Sequence, residues 1–344
     1  MLFNNYKKSV KLPGGTKFAA AVLSLSLLTA SISGCSFQGG NESISRTAFY
    51  FNTVITISIY DSNDETILDG CMELASKYDN LLSTTVEGSD IWNINHSSGK
   101  PVTVDADTAS LIKDALNYAA LSDGAFDPTI GIVSSLWDFS SDDPGPVPDE
   151  KDITNALQHV DYTTVQLSGN TVTMKDADAQ LDLGGIAKGY IADKLKEYLV
   201  SQNVSSAIIN LGGNVLLVGS KPDGTDFTVG IQKPFEDNTT YITTINEKDL
   251  SIVSSGPYER NFTQDGKLYH HILDTSTGYP VDNNLYGVTI LSDSSVDGDA
   301  LSTICFIKGL DEGMKYIESL PDTEALFITN DYELHYSSGF PKAN

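Results

Sequence analysis

An α+β fold, with mixed and antiparallel sheets flanked by helices, is what this sequence of 344 residues predicts. Three observations point to it. Short β-branched runs separated by turn residues fill the stretch 206–254. Segments with capping residues and helical spacing of apolar positions lie on either side of it. The two kinds of segment do not alternate with the regularity that a doubly wound sheet requires.

Taken in order, residues 1–34 read as an export signal. Lys7, Lys8, Lys11 and Lys17 make a basic start, Phe18 to Leu28 an apolar core, and Ile32-Ser33-Gly34-Cys35 a small-residue cleavage site. The apolar run is shorter than the roughly 20 residues a spanning helix needs. Cysteine directly after Gly34 makes the segment a bacterial lipoprotein signal, with Cys35 the lipidated first residue of the mature chain. Residues 35–46 are polar and glycine-containing, as a flexible tether would be. The folded domain is expected over 47–340, held by its lipid to the extracytoplasmic face of the cell membrane.

Phe51–Tyr60 is β-branched and reads as a strand. Ser62 with Glu65 forms a capping box that opens a helix to about Leu82. Asp107 is placed to cap a helix ending at Ser122 and closed by Gly124. A loop, AFDPTIG, leads to a short helix ending at Trp137, and Pro148 precedes a helix from Asp149 to about Val160. Ser168-Gly169-Asn170 joins two strand-like runs as a hairpin. Leu181–Lys194 reads as a short apolar strand, a turn at Gly184-Gly185, and a helix continuing to 201. Strands follow near 206–210, 214–219, 226–232, 241–246, 250–254 and 286–292. Helices near 297–308 and 311–319 precede closing strands near 324–329 and 332–336.

The formal charge is −25, and residues 1–34 hold four lysines and no acid, so the rest is more acidic still. Such a chain is unsuited to a nucleic-acid backbone, which requires clustered Lys and Arg. Solubility outside the cell and accumulation of divalent cations both fit this charge. Beyond Cys35 only Cys71 and Cys305 remain, each in an apolar helical setting, and buried free thiols are expected. The five histidines include no HExxH and the cysteines no CxxC, so zinc is poorly supported.

Several segments carry chemistry. Strand, glycine turn and helix start in LDLGGIAKGYIADK is a layout that aims backbone N–H groups at an anion, with Asp182 and Lys188 nearby. Asp299 and Thr303 are i and i+4 on one helix face, where a carboxylate and a hydroxyl suit Mg²⁺; the same spacing also allows a helix cap and a back-bonded threonine. His270 and His271 on a strand point to opposite faces, so one of them enters a given site, as a base or as a structural ring. Leu211-Gly212-Gly213-Asn214 is a tight turn, and Arg260 is a fork for phosphate or carboxylate, on a substrate or on a surface acid.

In order and with sensible gaps, NTVITI, SDIWNIN, GAFDPTIG with LW, LDLGGIAKGYIAD, INLGGN, SSGPYERNF, HHILDTSTGYP and GDALST resemble the ApbE-type FAD:protein FMN transferases, once labelled thiamine-biosynthesis lipoproteins. The resemblance runs through nearly all of the mature chain. It implies an ApbE-like fold and Mg²⁺-dependent cleavage of FAD. FMN would pass to a threonine hydroxyl of an exported or membrane electron-transfer flavoprotein, and AMP would leave. It implies metal binding by Asp299, Thr303 and the Gly185 carbonyl, and His271 as the catalytic base. It also places Phe51, Thr85, Ala125, Phe126, Asp127, Asp182, Lys188 and Ile272 against FAD. The chain departs from the family pattern at Thr85 (usually tyrosine), at Asn52 (usually glycine), at Pro257 (usually aspartate) and at Thr275-Ser276 (usually Pro-Arg). Two other readings share the site: an FAD pyrophosphatase with water as acceptor, and a lipoprotein that binds FAD without chemistry.

Overall fold

The computed structural model describes residues 43–139, 144–237 and 239–341. The signal segment, Cys35 and the tether up to residue 42 lie outside the described residues. The last part of the expected tether is strand instead: β1 (Ile44–Tyr50) pairs antiparallel with β2 (Thr53–Ile59). The reason is visible in ISRTAFY, whose residues alternate half-buried and exposed, the period-2 pattern of an edge strand. Phe51 and Asn52 form the connecting turn with φ of 55° and 56°. A two-residue hairpin needs that left-handed backbone, which asparagine tolerates better than most residues.

Helix α1 (Glu65–Leu81) follows, capped by Asp64, whose carboxylate accepts from Thr66 N–H; Ser62 instead accepts from Asp64 N–H. Then come α2 (Asp90–Asn95), β3 (Val102–Thr103) and α3 (Ala106–Leu121). The cap of α3 is Asp105, leaving Asp107 in the first turn to bind Lys77 and Tyr78. After α4 (Gly131–Ser134) and α5 (Glu150–Leu157), β4 (Val165–Ser168) and β5 (Thr171–Met174) form the expected hairpin. Long helix α6 (Ala187–Ser201) leads into β6 (Ser206–Leu211), β7 (Asn214–Gly219), β8 (Phe227–Gln232), β9 (Tyr241–Glu247) and β10 (Ser251–Ser255). The strand expected at the histidine pair is half of a ribbon, β11 (Asn261–Gln264) and β12 (Lys267–His270), which turns at Asp265-Gly266. The chain ends with β13 (Leu285–Ser292), α7 (Ser295–Ile317), β14 (Thr323–Thr329) and β15 (Leu334–Tyr336). The two helices expected near 297 and 311 are the two parts of α7, broken at Gly309 with φ 76° and ψ −178°.

Eight strands form one antiparallel sheet in the order β1-β2-β6-β7-β10-β13-β14-β15. Its two faces are both apolar, and strand alternation separates them residue by residue. Leu216, Val218, Val288, Ile290, Ala325 and Phe327 join the main core under α1, α6 and α7. Their neighbours Leu217, Leu291, Leu326 and Ile328 face the other way, against Phe227, Ile231 and Ile245 of the β8–β9 ribbon. A third cluster around Val133, Trp137, Ile153 and Phe262 ties the β11–β12 ribbon to α4 and α5. Cys71 and Cys305 are buried free thiols, and burial pushes both up to about 12. No described helix is long and apolar enough to cross a membrane.

Candidate functional site

The crossing of α6 with α7 sets the centre of the site. Gly189 lets the helices touch: a Cβ there would lie 2.2 Å from Ser295 O and 2.7 Å from Val296 Cα. At this contact Gly189 N–H donates to Asp299 Oδ2 at 2.8 Å, anchoring a carboxylate that is 3% exposed. Lys188 Nζ stands 3.7 Å from the other oxygen, Oδ1. Asp193, one turn further along α6, caps α7 by accepting from Ser295 N–H and Val296 N–H. Burial raises the Asp193 carboxyl above its usual range, and these bonds oppose the rise. Asn214, from the GGN turn, accepts from Ser295 Oγ at 2.8 Å and fixes the start of α7 from the sheet side.

Thr303 stands one helical turn beyond Asp299, and the backbone of Gly185 runs beside it: a Cβ on Gly185 would be 3.7 Å from Thr303 Oγ1 and 3.0 Å from the Phe126 ring. Gly185 is held by an unusual segment. Leu181 and Asp182 are not in a strand; both amide atoms of Asn95 bond the Leu181 backbone, at 2.7 and 2.9 Å, in place of a neighbouring strand. The glycine turn also keeps much of its donor capacity for itself. Gly184 N–H goes to Asp182 and Ile186 and Ala187 N–H to Leu183 O, and the N–H of this segment that meets an anion is that of Gly189, on the Asp299 carboxylate. Thr303 Oγ1 back-bonds to Asp299 O at 3.5 Å, and its hydroxyl with the Asp299 carboxylate offers oxygen donors of the kind a hard divalent cation takes.

The opposite wall comes from the β11–β12 ribbon. Asn261 pairs with His270, and the next pair, Arg260 with His271, is closed by His271 N–H donating to Arg260 O at 3.2 Å. His270 and His271 part company as strand alternation demands. His270 is buried with its ring edge-on to Phe306, Nε2 donating to Val281 O at 3.0 Å and Nδ1 accepting from Ile272 N–H at 3.3 Å. His271 is half-buried, with Nδ1 3.3 Å from Arg260 O. A carbonyl partner makes Nδ1 the protonated nitrogen and leaves Nε2 as the acceptor. Burial, then the charges of Arg260 and Lys188, hold the His271 imidazole down to about 3. Desolvation by its surroundings pushes the Glu259 carboxyl up to about 7, opposed by Lys188, reinforced by Asp299 and opposed again by Arg260.

The expected residues divide by position. Gly185, Lys188, Asp299, Thr303 and Phe126 are joined by the contacts above, and His271 feels the charge of Lys188 across the recess. Asp182 borders the turn, accepting from Ser134 Oγ at 3.0 Å. Asp127 is buried with both oxygens engaged by Thr129 and Tyr162 N–H, so its carboxylate shapes the loop that presents Ala125 and Phe126. That loop is tied to the ribbon side by Thr275 Oγ1 donating to Gly124 O. Ile272 is buried beneath the histidines. Phe51 and Thr85 share no hydrogen bond, ion pair or ring contact with these residues. Phe51 N–H bonds Asp79, and Thr85 is exposed in the loop before α2. The roles of Glu259, Asn95 and Asp193, and that of Asn214 beyond its turn, are not visible in the sequence because their partners lie far away in the chain. Gly189 carried a signal, an isolated glycine inside a helical pattern, that marks a close approach.

The family model described as "ApbE family" matches residues 51–327. An FAD:protein FMN transferase of Klebsiella pneumoniae (strain 342) is 38% identical over 301 residues, covering 87% of this chain and 93% of that protein. One from Treponema pallidum is 31% identical over 328 residues, covering 90% of each. Among solved structures, the ApbE protein of Thermotoga maritima superposes with a TM-score of 0.80 at 33% identity, covering 86% of this chain and 97% of that one. The flavin transferase ApbE of Vibrio cholerae gives 0.76 at 27% identity, covering 87% and 98%. A layered sheet of this design, in a chain matched over nearly nine-tenths of its length by FAD:protein FMN transferases, defines a transferase. The chain belongs to the ApbE family.

Proposed function

We propose that this protein transfers FMN from FAD to a threonine hydroxyl of a partner flavoprotein, with Mg²⁺ in the site and AMP as the second product. The observation that carries this reading is the facing of His271 and Arg260 on the ribbon with Lys188, Asp299 and Thr303 at the helix crossing. Asp299, Thr303 and the Gly185 carbonyl would hold the ion, which when bound supplies charge neutralisation at the pyrophosphate. Asp299 has one oxygen anchored by Gly189 N–H, so the other is held in a fixed direction. Lys188 adds positive charge beside it. His271 takes the proton of the acceptor hydroxyl at Nε2, with Arg260 O keeping the ring in the required tautomer. The two cations that weaken this base are the ones a bound pyrophosphate would offset.

Export and a lipid anchor on Cys35 belong to the same reading, since an acceptor outside the cytoplasm needs its enzyme there. The test is mass spectrometry of a co-expressed exported flavoprotein. An added FMN on threonine is expected with the wild type. It should fall about 10²- to 10⁴-fold with His271→Asn, while that variant still binds FAD. AMP released as fast without acceptor as with it would replace the transferase by an FAD pyrophosphatase. FAD binding with no AMP at all would leave only a carrier.

A further inference from the structure

Arg260 is one of two arginines in the chain, and among the described residues the other, Arg46, is committed to Glu65 and Asp69. Arg260 forms no ion pair among the described residues. Its place is nonetheless fixed. The pairing of Asn261 with His270 continues to Arg260 opposite His271, closed by the backbone bond of 3.2 Å. Residues directly opposite in an antiparallel ribbon project from the same face with Cβ atoms about 5 Å apart. The Arg260 side chain therefore leaves the ribbon on the face that carries the base, and its charge acts on His271. Lys188, across the recess, is already matched by Asp299 at 3.7 Å. Arg260 is thus the cation of the site with no ion pair among the described residues, although its charge reaches Glu259 beside it, and a permanent positive charge beside a proton acceptor opposes its chemistry unless an anion comes between them.

We propose that Arg260 grips the pyrophosphate of FAD as a two-pronged donor, holding the phosphorus to be attacked beside His271. This rests on the flavin-transfer reading above. A guanidinium fork offers paired N–H donors to two phosphate oxygens, which a lysine ammonium cannot reproduce. Arg260 then binds the part of FAD that riboflavin lacks.

Titrating wild type, Arg260→Gln and Arg260→Lys with FAD and with riboflavin, followed by flavin fluorescence, tests it. Charge-assisted hydrogen bonds of the usual strength predict an FAD dissociation constant raised about 10- to 100-fold in Arg260→Gln. Arg260→Lys should recover part of that loss, and riboflavin affinity should not change in either variant. An unchanged FAD affinity in Arg260→Gln overturns the proposal and assigns the guanidinium elsewhere, for instance to a carboxylate of the acceptor protein. Parallel loss of riboflavin affinity also overturns it, because the substitution would then be damaging the ribbon. The titration needs no turnover. Wild type that binds FAD but labels no acceptor refutes the transferase reading alone, and an insensitive Arg260→Gln alongside normal labelling refutes this one alone.

Discussion

The imidazole of His270 can satisfy both of its neighbours only while neutral, because Nε2–H donates to Val281 O and the lone pair of Nδ1 receives Ile272 N–H. A second proton would remove that lone pair beneath the catalytic ribbon. Burial accordingly lowers the His270 imidazole below its ordinary value. The sign of the consequence follows from linkage. The unfolded chain takes up this proton below pH about 6.5, while the fold still refuses it, so the contribution is whole above that pH. It is lost as the pH falls toward the depressed folded value. Thermal unfolding followed from pH 7.5 to 5 should show wild type losing more of its midpoint than His270→Gln, whose side chain does not titrate. Parallel curves would mean that His270 is not the proton-linked group. Asp127 and Asp193, raised by burial, act with the opposite sign and are common to both proteins.

Asp299 and Thr303 on α7 lie beside the Gly185 turn only because α6 and α7 meet at Gly189, and this makes a prediction at the level of elements. A methyl there would press on Ser295 O and Val296 Cα, both backbone atoms that cannot rotate away. Overpacking of this kind costs about 1–3 kcal/mol, and Gly189→Ala should also part Lys188 from Asp299 and suppress transfer. Gly309→Ala is the control: nothing lies within 4 Å of its Cβ, and only the unusual backbone at φ 76° is strained. It should cost about 1–3 kcal/mol yet spare activity; equal activities for the two variants would break the argument. The same elements show what was legible. The strands of 206–254 announce themselves through β-branched runs, whereas the helical spacing of Asp299 and Thr303 fits a back-bonded threonine as well as a metal pair, and Thr303 does back-bond to Asp299 O. β1 did not, because its polar and charged residues resemble the tether before it. The pairing of β11 with β12 was missed although Asp265-Gly266 is a hairpin signal, since NFTQ and KLYH are short and only partly apolar. Asn95 standing in for a strand, and Asp193 capping α7 rather than its own helix, are partnerships across 86 and 102 residues that no local pattern encodes.

At the scale of the whole molecule, the formal charge of −25 draws divalent cations to the surface whether or not a site exists. Stabilisation by Mg²⁺ is therefore diagnostic only when one buried carboxylate can switch it off. Asp299→Asn is suited to this. Its amide oxygen can still accept from Gly189 N–H, so the helix crossing should survive, and the surface charge hardly changes. An ion bound by the folded state alone stabilises it by about 2.7 kcal/mol at a hundredfold excess over its Kd. For a domain of this size that is a rise of several degrees in Tm. Wild type should show the rise, a chelator should reverse it, and Asp299→Asn should retain only the small part due to diffuse surface binding. If the substituted protein gains as much from Mg²⁺ as the wild type, the ion is not held at the crossing of α6 and α7. Asp299 would then be a helix-to-helix tie and no more, and the assignment of Thr303 and Gly185 beside it would fall with it.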